Sequence, residues 1–515
     1  MSEKARASRF LWIVNALRWR KRACAVWVLC AMTAIALPAQ TFTTRYSFCA
    51  QGGCADGELP YAALIQATNG NLYGTTGYGG TNPGLYGNGG GTVFKITPSG
   101  KLTTLYNFCA QGGCVDGEAP IAGLVQVADG AFYGTTSSGG AYGYGTVFRI
   151  TPSGALTTLY SFCAQSGCTD GEDPMAGLVQ ATNGDLYGTT WLGGAGGANC
   201  TQTPGAGCGT IFKITPSGKL TTLYDFCSQS GCADGQGPYA GLIQATNGDL
   251  YGTTWGGGAY GYGTIFNIAA SGKLTTLYSF SGSDGEGPEA GLIQATDGNL
   301  YGTTYGGANG NPMGTVFKIT PSGALTTLYS FCAQSGCTDG ERPQAGLVQA
   351  TDGNFYGTTA WGGAYYRGGG PVGGTVFKIT PSGALTTLYS FCAQSGCTDG
   401  EVPVAGLGQD TNGTFYGATW GGGAYGYGTV FSLSVGLGQF VKTLPTSARV
   451  GSAVRILGTN LTGATSVTFN GTAAAFTVVS RYLITATVPT GATTGKVEVV
   501  TPSGTLSSNV PFRVP

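Results

Sequence analysis

Ala290–Thr304 read AGLIQATDGNLYGTT, and after a short Gly-rich stretch Gly314–Phe331 read GTVFKITPSGALTTLYSF. Apolar runs alternate here with turn signals. LIQAT is a short strand, and Asp297-Gly298 is a hairpin turn into a second strand, LYGTT. The Gly-rich stretch leads to a third strand, GTVFKI. Thr320-Pro321-Ser322-Gly323 then turns the chain into a fourth, LTTLYSF. These strands are designated a, b, c and d.

The block recurs along residues 40–436. Its Tyr-Gly-Thr/Ala-Thr element begins at Tyr73, Tyr133, Tyr187, Tyr251, Tyr301, Tyr356 and Tyr416. Its Gly-Thr-Val/Ile-Phe element begins at Gly91, Gly145, Gly209, Gly263, Gly314, Gly374 and Gly428. Four short antiparallel strands repeated seven times predict a seven-bladed β-propeller. A linear solenoid would need atypical capping repeats, and none is visible. The ends of the array predict how the ring closes. Thr41–Phe48 (TFTTRYSF) is a lone strand d, and the last block stops after strand c at Gly428–Leu433. The orphan strand is expected to complete the seventh blade, removing the open sheet edges that invite aggregation.

The LYGTT…GG…GTVFKITPSG…TTLYSF series resembles the GloVer-type tandem repeat of exported bacterial proteins, over about three-quarters of the chain. That resemblance implies a fold and an exported setting, and no particular activity. Often such proteins end in a sorting anchor; this sequence ends Asn509-Val510-Pro511-Phe512-Arg513-Val514-Pro515, without an apolar tail. Past Gly436 the repeat gives way to residues 437–515. Alternating strands are expected at Ala453–Leu457, Ser466–Phe469, Leu483–Val488 and Lys496–Val500. The run Val454–Ala464 (VRILGTNLTGA), with Val467-Thr468-Phe469-Asn470-Gly471, Val488-Pro489 and Gly495-Lys496-Val497, is similar to an IPT/TIG domain. The similarity implies a small immunoglobulin-like sandwich acting as a spacer or contact module. So small a sandwich is expected to dock on the propeller. The fold class is therefore all-β.

Residues 1–39 read as a secretory signal. A basic region ends at Arg22, an apolar run spans Ala23–Leu37, and Leu37-Pro38-Ala39 offers a cleavage site. The apolar run is shorter than the ~20 residues that span a bilayer, so no membrane span is expected after cleavage. Beyond residue 39 the chain carries 17 basic against 23 acidic residues, an acidic balance that argues against nucleic acid as a partner.

Twelve cysteines form six C-x4-C pairs: Cys49/Cys54, Cys109/Cys114, Cys163/Cys168, Cys227/Cys232, Cys332/Cys337 and Cys392/Cys397. The fifth block, Phe280-Ser281-Gly282-Ser283-Asp284, lacks both members together. Residues lost as a unit suggest residues bonded as a unit. Cys200 and Cys208 add a local pair in a loop insertion, so seven local disulfides are expected in an oxidising compartment. A zinc site would need two pairs to meet, and the pairs sit on different blades. Histidine is absent from the chain, which removes Ser-His-Asp and Cys-His catalysis and every His-ligated metal site. No metal and no cofactor is expected.

Strand polarity divides the loops between two faces. The a–b and c–d turns share one and are stereotyped. The b–c loops and d–a connections share the other, with all the length variation. Ligand-binding candidates cluster there: Trp191, Trp255, Trp361, Trp420, Tyr305, Tyr365, Tyr366 and Arg367. Aromatic platforms among Gly suit sugar rings or extended peptides; the alternative is that Trp255 and Trp420 pack between blades. The d–a connections carry Asp-Gly-Glu/Gln at Asp56, Asp116, Asp170, Asp234, Asp284, Asp339 and Asp399. A carboxylate ring is a calcium candidate, and an Asx-type turn before the recurrent Pro is the reading preferred for it. The Gln of each strand a is expected to bond neighbouring blades.

These features describe an exported, non-catalytic binding protein for polysaccharide or a cell-surface partner. A polysaccharide lyase or hydrolase is one alternative. Its residues would have to break the sevenfold pattern, as Asp173, Glu289, Arg342 and Arg367 do, but these form no recognisable constellation. A purely structural envelope protein is the other.

Overall fold

The computed structural model describes residues 40–85, 87–196, 200, 206–307, 313–365 and 372–515. The signal reading, on residues 1–39, lies outside them, as do Tyr86, Tyr366 and Arg367.

Seven four-stranded antiparallel sheets follow one another along the chain. In blade five the strands are Ile293–Gln294, Leu300–Thr304, Thr315–Ile319 and Leu325–Ser330. Their pairing is sequential, Leu300 opposite Ile319 and Ile319 opposite Leu325. Strands b and c carry the core. LYGTT is buried at every position, and Gly302 is required within it. A Cβ there would stand 2.6 Å from the Phe317 ring and 2.9 Å from Leu292. Buried hydroxyls of strand b are paired. Thr304 Oγ1 meets Thr315 Oγ1 at 2.8 Å, Thr303 Oγ1 donates to Ala345 O of the next blade, and Tyr301 OH donates to Asp297 in the a–b turn at 2.8 Å.

Each hydrophobic seam joins one blade to the next. Between blades one and two, Ala67, Tyr73, Val93 and Phe108 meet Leu124, Phe132, Phe148 and Ile150. The last seam brings Phe48, Tyr416 and Val430 of blade seven against Leu64, Leu72, Phe94 and Ile96 of blade one, which closes the ring. Burying one such Phe stabilises by roughly 1.5–3 kcal/mol. The seventh sheet contains Thr41–Ser47 as its outer strand, beside Thr429–Ser434. Phe48 N donates to Gly428 O at 3.0 Å, and Arg45 Nε to Ser432 Oγ at 2.8 Å.

The C-terminal part is an immunoglobulin-like sandwich of two four-stranded sheets. One contains Lys442–Leu444, Ala453–Leu457, Leu483–Thr487 and Phe476–Ser480; the other contains Thr472–Ala473, Ser466–Phe469, Val497–Thr501 and Gly504–Ser507. Val454, Ile456, Val467, Phe469, Ile484, Val497, Val499 and Phe512 fill the space between them. Four of these strands are the expected ones. The others are short or half-exposed, with too little apolar alternation to stand out.

Candidate functional site

The sandwich lies across the face of the a–b turns. Phe440 N donates to Thr411 O of blade seven at 3.0 Å, and the Thr411 and Thr459 hydroxyls meet at 2.9 Å. Asn509 reaches Gln349 O of blade six at 3.4 Å. The Tyr482 ring lies 2.7 Å from where a Cβ on Gly70 would stand in blade one. Lys442 donates to Gln409 O. Several strand-a glutamines bond blade to blade: Gln244 accepts from Thr182 N at 2.9 Å and Gln294 from Thr246 N at 2.8 Å.

The opposite face opens into a funnel of about 440 Å³ around the ring axis. One variable residue per blade, directly after the recurrent Pro, lines it: Tyr61, Ile121, Met175, Tyr239, Glu289, Gln344 and Val404. Sequence reasoning singled out Glu289 alone among these. A readable signal was present, because this position varies freely inside otherwise near-identical blocks.

The funnel wall is chemically lopsided. Gln344 Nε2 donates to Glu289 Oε2 at 3.0 Å, and the Trp255 indole also bonds this carboxylate. Burial raises the Glu289 pKa, against the lowering pull of Gln344, Trp255 and Arg342. Burial likewise pushes Tyr239 up to about 12, helped by the charge of Glu289. Beside them, the Arg342 guanidinium lies 3.9 Å from the Trp361 ring centre and 4.9 Å from that of Tyr305, and it donates to the Tyr305 hydroxyl. One face of Trp361 is thus covered. Arg342 sits at a left-handed backbone position, φ +56°, shared with Asp173 at φ +52°. Burial raises the Asp173 carboxyl to about 6, and it raises neighbouring Glu172 to about 7, with the Asp173 charge adding.

Of the aromatic candidates, Tyr305 and Trp361 meet at Arg342, and Trp255 meets Glu289. Trp420 lies 6.5 Å from Tyr61, centre to centre. Trp191 and Trp255 also lean on Gly237 and Gly287 of the following blade, where a Cβ would stand about 3 Å from each indole nitrogen. Trp191 and Trp255 therefore pack between blades. Trp255 is 37% exposed and Tyr365 49%.

The aspartate ring is held by its own loops. Asp116 is fully buried and accepts from Tyr106 OH at 2.8 Å, Ala110 N at 3.0 Å and Gln111 N at 3.1 Å. The same pattern holds Asp56, Asp170, Asp234, Asp339 and Asp399. Asp284, in the block without cysteines, keeps the Tyr278 bond and accepts from Ser281 N.

All six C-x4-C pairs are disulfides: Cys49–Cys54, Cys109–Cys114, Cys163–Cys168, Cys227–Cys232, Cys332–Cys337 and Cys392–Cys397. The bridges also organise their loops. Cys397 occupies a left-handed backbone position, φ +51°. Its carbonyl accepts from Gly400 N at 2.8 Å and from Gly423 N at 2.9 Å, so it ties the d–a connection to the b–c loop. Its bridge partner Cys392 lies 3.7 Å, sulfur to oxygen, from Glu401 of the same connection. Cys163 and Cys168 likewise stand within 4.8 Å of a Glu172 oxygen. The cause is the turn itself, which folds the Glu four residues past the second cysteine back over the bridge. A bridged sulfur has no thiolate to offer a metal, so Cys397 serves the loop and not an ion.

One correction to the cysteine reading concerns Cys200 and Cys208, expected as a seventh disulfide, which are not joined in one. The insertion drops both buried thiols onto the buried Cys227–Cys232 bridge. Sulfurs of Cys208, Cys227 and Cys232 lie within 4.8 Å of one another. Two cysteine pairs from different loops therefore meet here.

Among the described residues no helix is long and apolar enough to cross a membrane. The Gloeobacter/Verrucomicrobia repeat family matches residues 31–203, 199–431 and 313–477, and the IPT/TIG domain family matches 441–514. No curated protein matches the chain. Among solved structures, a candidate 6-phosphogluconolactonase from Bacteroides fragilis is 18% identical, with TM-score 0.41, over 73% of this chain and 89% of that one. A protein of unknown function from Dyadobacter fermentans is 12% identical, with TM-score 0.38, over 77% and 98%.

Proposed function

Because the chain belongs to the Gloeobacter/Verrucomicrobia repeat family and carries an IPT/TIG domain, we propose that it is a non-catalytic binding protein of the cell exterior or envelope. Its ligand is a polysaccharide taken at the funnel on the b–c/d–a face. The observation that carries this reading is the division of labour between faces. The sandwich occupies the a–b turn face, while the funnel of the other is lined by Tyr61, Tyr239 and a Glu289–Gln344 pair, with the Trp255 indole bonded to Glu289 and Trp420 packed beside Tyr61. Flat aromatic faces beside paired carboxyl and amide groups are what sugar rings use. Cysteine pairs closed as disulfides support an oxidising compartment. Among the described residues Glu289 is the sole carboxylate lining the funnel, whereas a glycosidase uses two.

A polysaccharide panel, scored for both binding and turnover, tests the proposal. Binding without product formation is expected. Product release would favour the lyase or hydrolase alternative, and no binding to any glycan would favour a structural envelope role. Trp255→Ala should weaken glycan binding by roughly 1–3 kcal/mol, about ten- to a hundredfold. Ser322→Ala, in a c–d turn of the other face, should leave it unchanged; the reverse pattern would place the ligand elsewhere.

A further inference from the structure

We propose that the funnel selects an amine-bearing polysaccharide, one of glucosamine units with free 2-amino groups, and that an ammonium of this ligand docks on Glu289. The inference rests on the sugar-binding reading of the funnel and adds a charge to the ligand.

Three observations carry it. First, Glu289 is the one charged side chain among the described residues lining the funnel, and its charge is not neutralised. The groups that hold it, the Gln344 amide at 3.0 Å and the Trp255 indole, are themselves neutral. The ion pairs among the described residues, Arg149–Asp129 and Lys213–Asp185, lie elsewhere. Arg342 acts on Glu289 only through space, because its guanidinium stacks 3.9 Å from the Trp361 ring centre and donates to the Tyr305 hydroxyl. Burial outweighs these pulls and raises the Glu289 pKa. A carboxylate short of positive charge gains most from a charge-assisted bond to a cation.

Second, the surroundings of Glu289 suit an ammonium, which carries three donors and no acceptor. Gln344 gives its N–H to Glu289, so its amide oxygen is a second acceptor beside the first. Tyr61 and Tyr239 add aromatic rings to the same wall, and Tyr239 feels the Glu289 charge. Such rings attract cations. Ile121, Met175 and Val404 line the remaining wall without charge, so a charged substituent is drawn to one side.

Third, the whole face is acidic. The Asp-Gly-Glu/Gln series puts a carboxylate in every d–a connection, whereas Arg342 and Arg367 are the basic residues of the connections and b–c loops. The other basic residues of the propeller lie on strands c and d or in the c–d turns. The recurrent aspartates are bonded within their own loops and form no site themselves, but the summed field steers a polycation to this side. Among glycans, the free amine of glucosamine supplies the cation that its acetylated and hydroxyl counterparts lack.

Titration calorimetry of the full chain with β-1,4-linked oligomers of glucosamine, N-acetylglucosamine and glucose, equal in length, tests the proposal, because the three differ only at C2. At mildly acidic pH, where the amines carry their protons, the glucosamine oligomer is expected to bind about tenfold or more tighter than the other two. High ionic strength should shrink that preference. Glu289→Gln should bring the three affinities together. Glu498→Gln, which removes the same charge from the sandwich, should preserve the preference. Melting curves matching the wild type establish that both variants fold. Equal binding of the three oligomers, or preference for a neutral one, overturns the amine reading and leaves the sugar reading standing. A glucosamine preference that Glu289→Gln retains, or that salt leaves unchanged in the wild type, also overturns it. Oligolysine binding as tightly as the glucosamine oligomer, with the neutral oligomers unbound, overturns the sugar reading and leaves the cation at Glu289. No binding of any probe overturns both.

Discussion

Asp116 shows how a repeated carboxylate becomes structural. It is wholly buried, and three donors, Tyr106 OH, Ala110 N and Gln111 N, converge on its two oxygens. Substituting Asn would turn one acceptor into a donor facing another donor. Asp116→Asn should therefore destabilise by about 1–3 kcal/mol, and Tyr106→Phe by about 1 kcal/mol, in urea unfolding. Unchanged midpoints would mean that the loop relaxes around the missing bond. The turn role was legible from Asp-Gly before Pro; its tyrosine partner ten residues upstream was not, because only folding brings strand d back over the connection. The cysteines make a similar case. The Cys392–Cys397 bridge was legible from spacing, whereas the grip of the Cys397 carbonyl on Gly423 was not, since that glycine belongs to a loop beyond two further strands. Cys200 and Cys208 are at most 6% exposed. A thiol reagent should label both only after unfolding, while the six bridged pairs stay unlabelled until reduced, as peptide mapping would show. Labelling of Cys208 in the native protein would contradict its burial.

Thr41–Ser47 is the element on which closure depends. It stands first in the described chain, yet hydrogen-bonds to Thr429–Ser434. It also delivers Phe48, fully buried, to the seam between blades seven and one. Deleting Thr41–Phe48 removes that ring and exposes a strand edge. A large-to-small change at a buried Phe alone costs about 3–5 kcal/mol. The deletion should therefore lower the melting temperature by on the order of 10 °C and promote aggregation through the open edge. An unchanged melting temperature would show that the strand does not carry closure. This pairing could be read from the strand inventory, since an orphan d and a block lacking d require each other. The strands of the seven blades were legible for a related reason: each carries its own turn chemistry and period-2 pattern. The weak, half-exposed strand Phe476–Ser480 carries neither.

The docking of the sandwich on the propeller has a pH signature. Lys442 is partly buried, and desolvation of its ammonium lowers its pKa to about 8, with Asp410 pulling the other way. An unfolded lysine titrates near 10.4. The folded state thus disfavours the ammonium, and the penalty is complete below pH 8. It fades as pH rises from about 8 toward 10, so that stability is regained. Tyrosines such as Tyr416, raised by burial, act oppositely above pH 10, where the unfolded chain loses their protons first. The difference in melting temperature between wild type and Lys442→Met isolates the lysine. The variant should gain stability at pH 7, and its advantage should shrink by pH 10. A constant difference across that range would show that the Lys442 ammonium stays solvated.

The sequence by itself determined the blades, their number, their closure and the immunoglobulin-like module. Those features are written locally, in short strands and turns, and repetition reinforces them. It also determined which face of the ring varies, because strand polarity alone assigns loops to faces. Only the tertiary structure decided what meets at the axis. Glu289, Gln344, Arg342, Tyr305 and Trp361 come from different blades, and nothing in local pattern says that they touch. The position of the sandwich was likewise a matter of tertiary contact. Thr411–Thr459 and Asn509–Gln349 join residues far apart in the chain. The physical reason is that strand and turn preferences act over a few residues, whereas the funnel and the docked sandwich exist only where separate blades and a distant module converge.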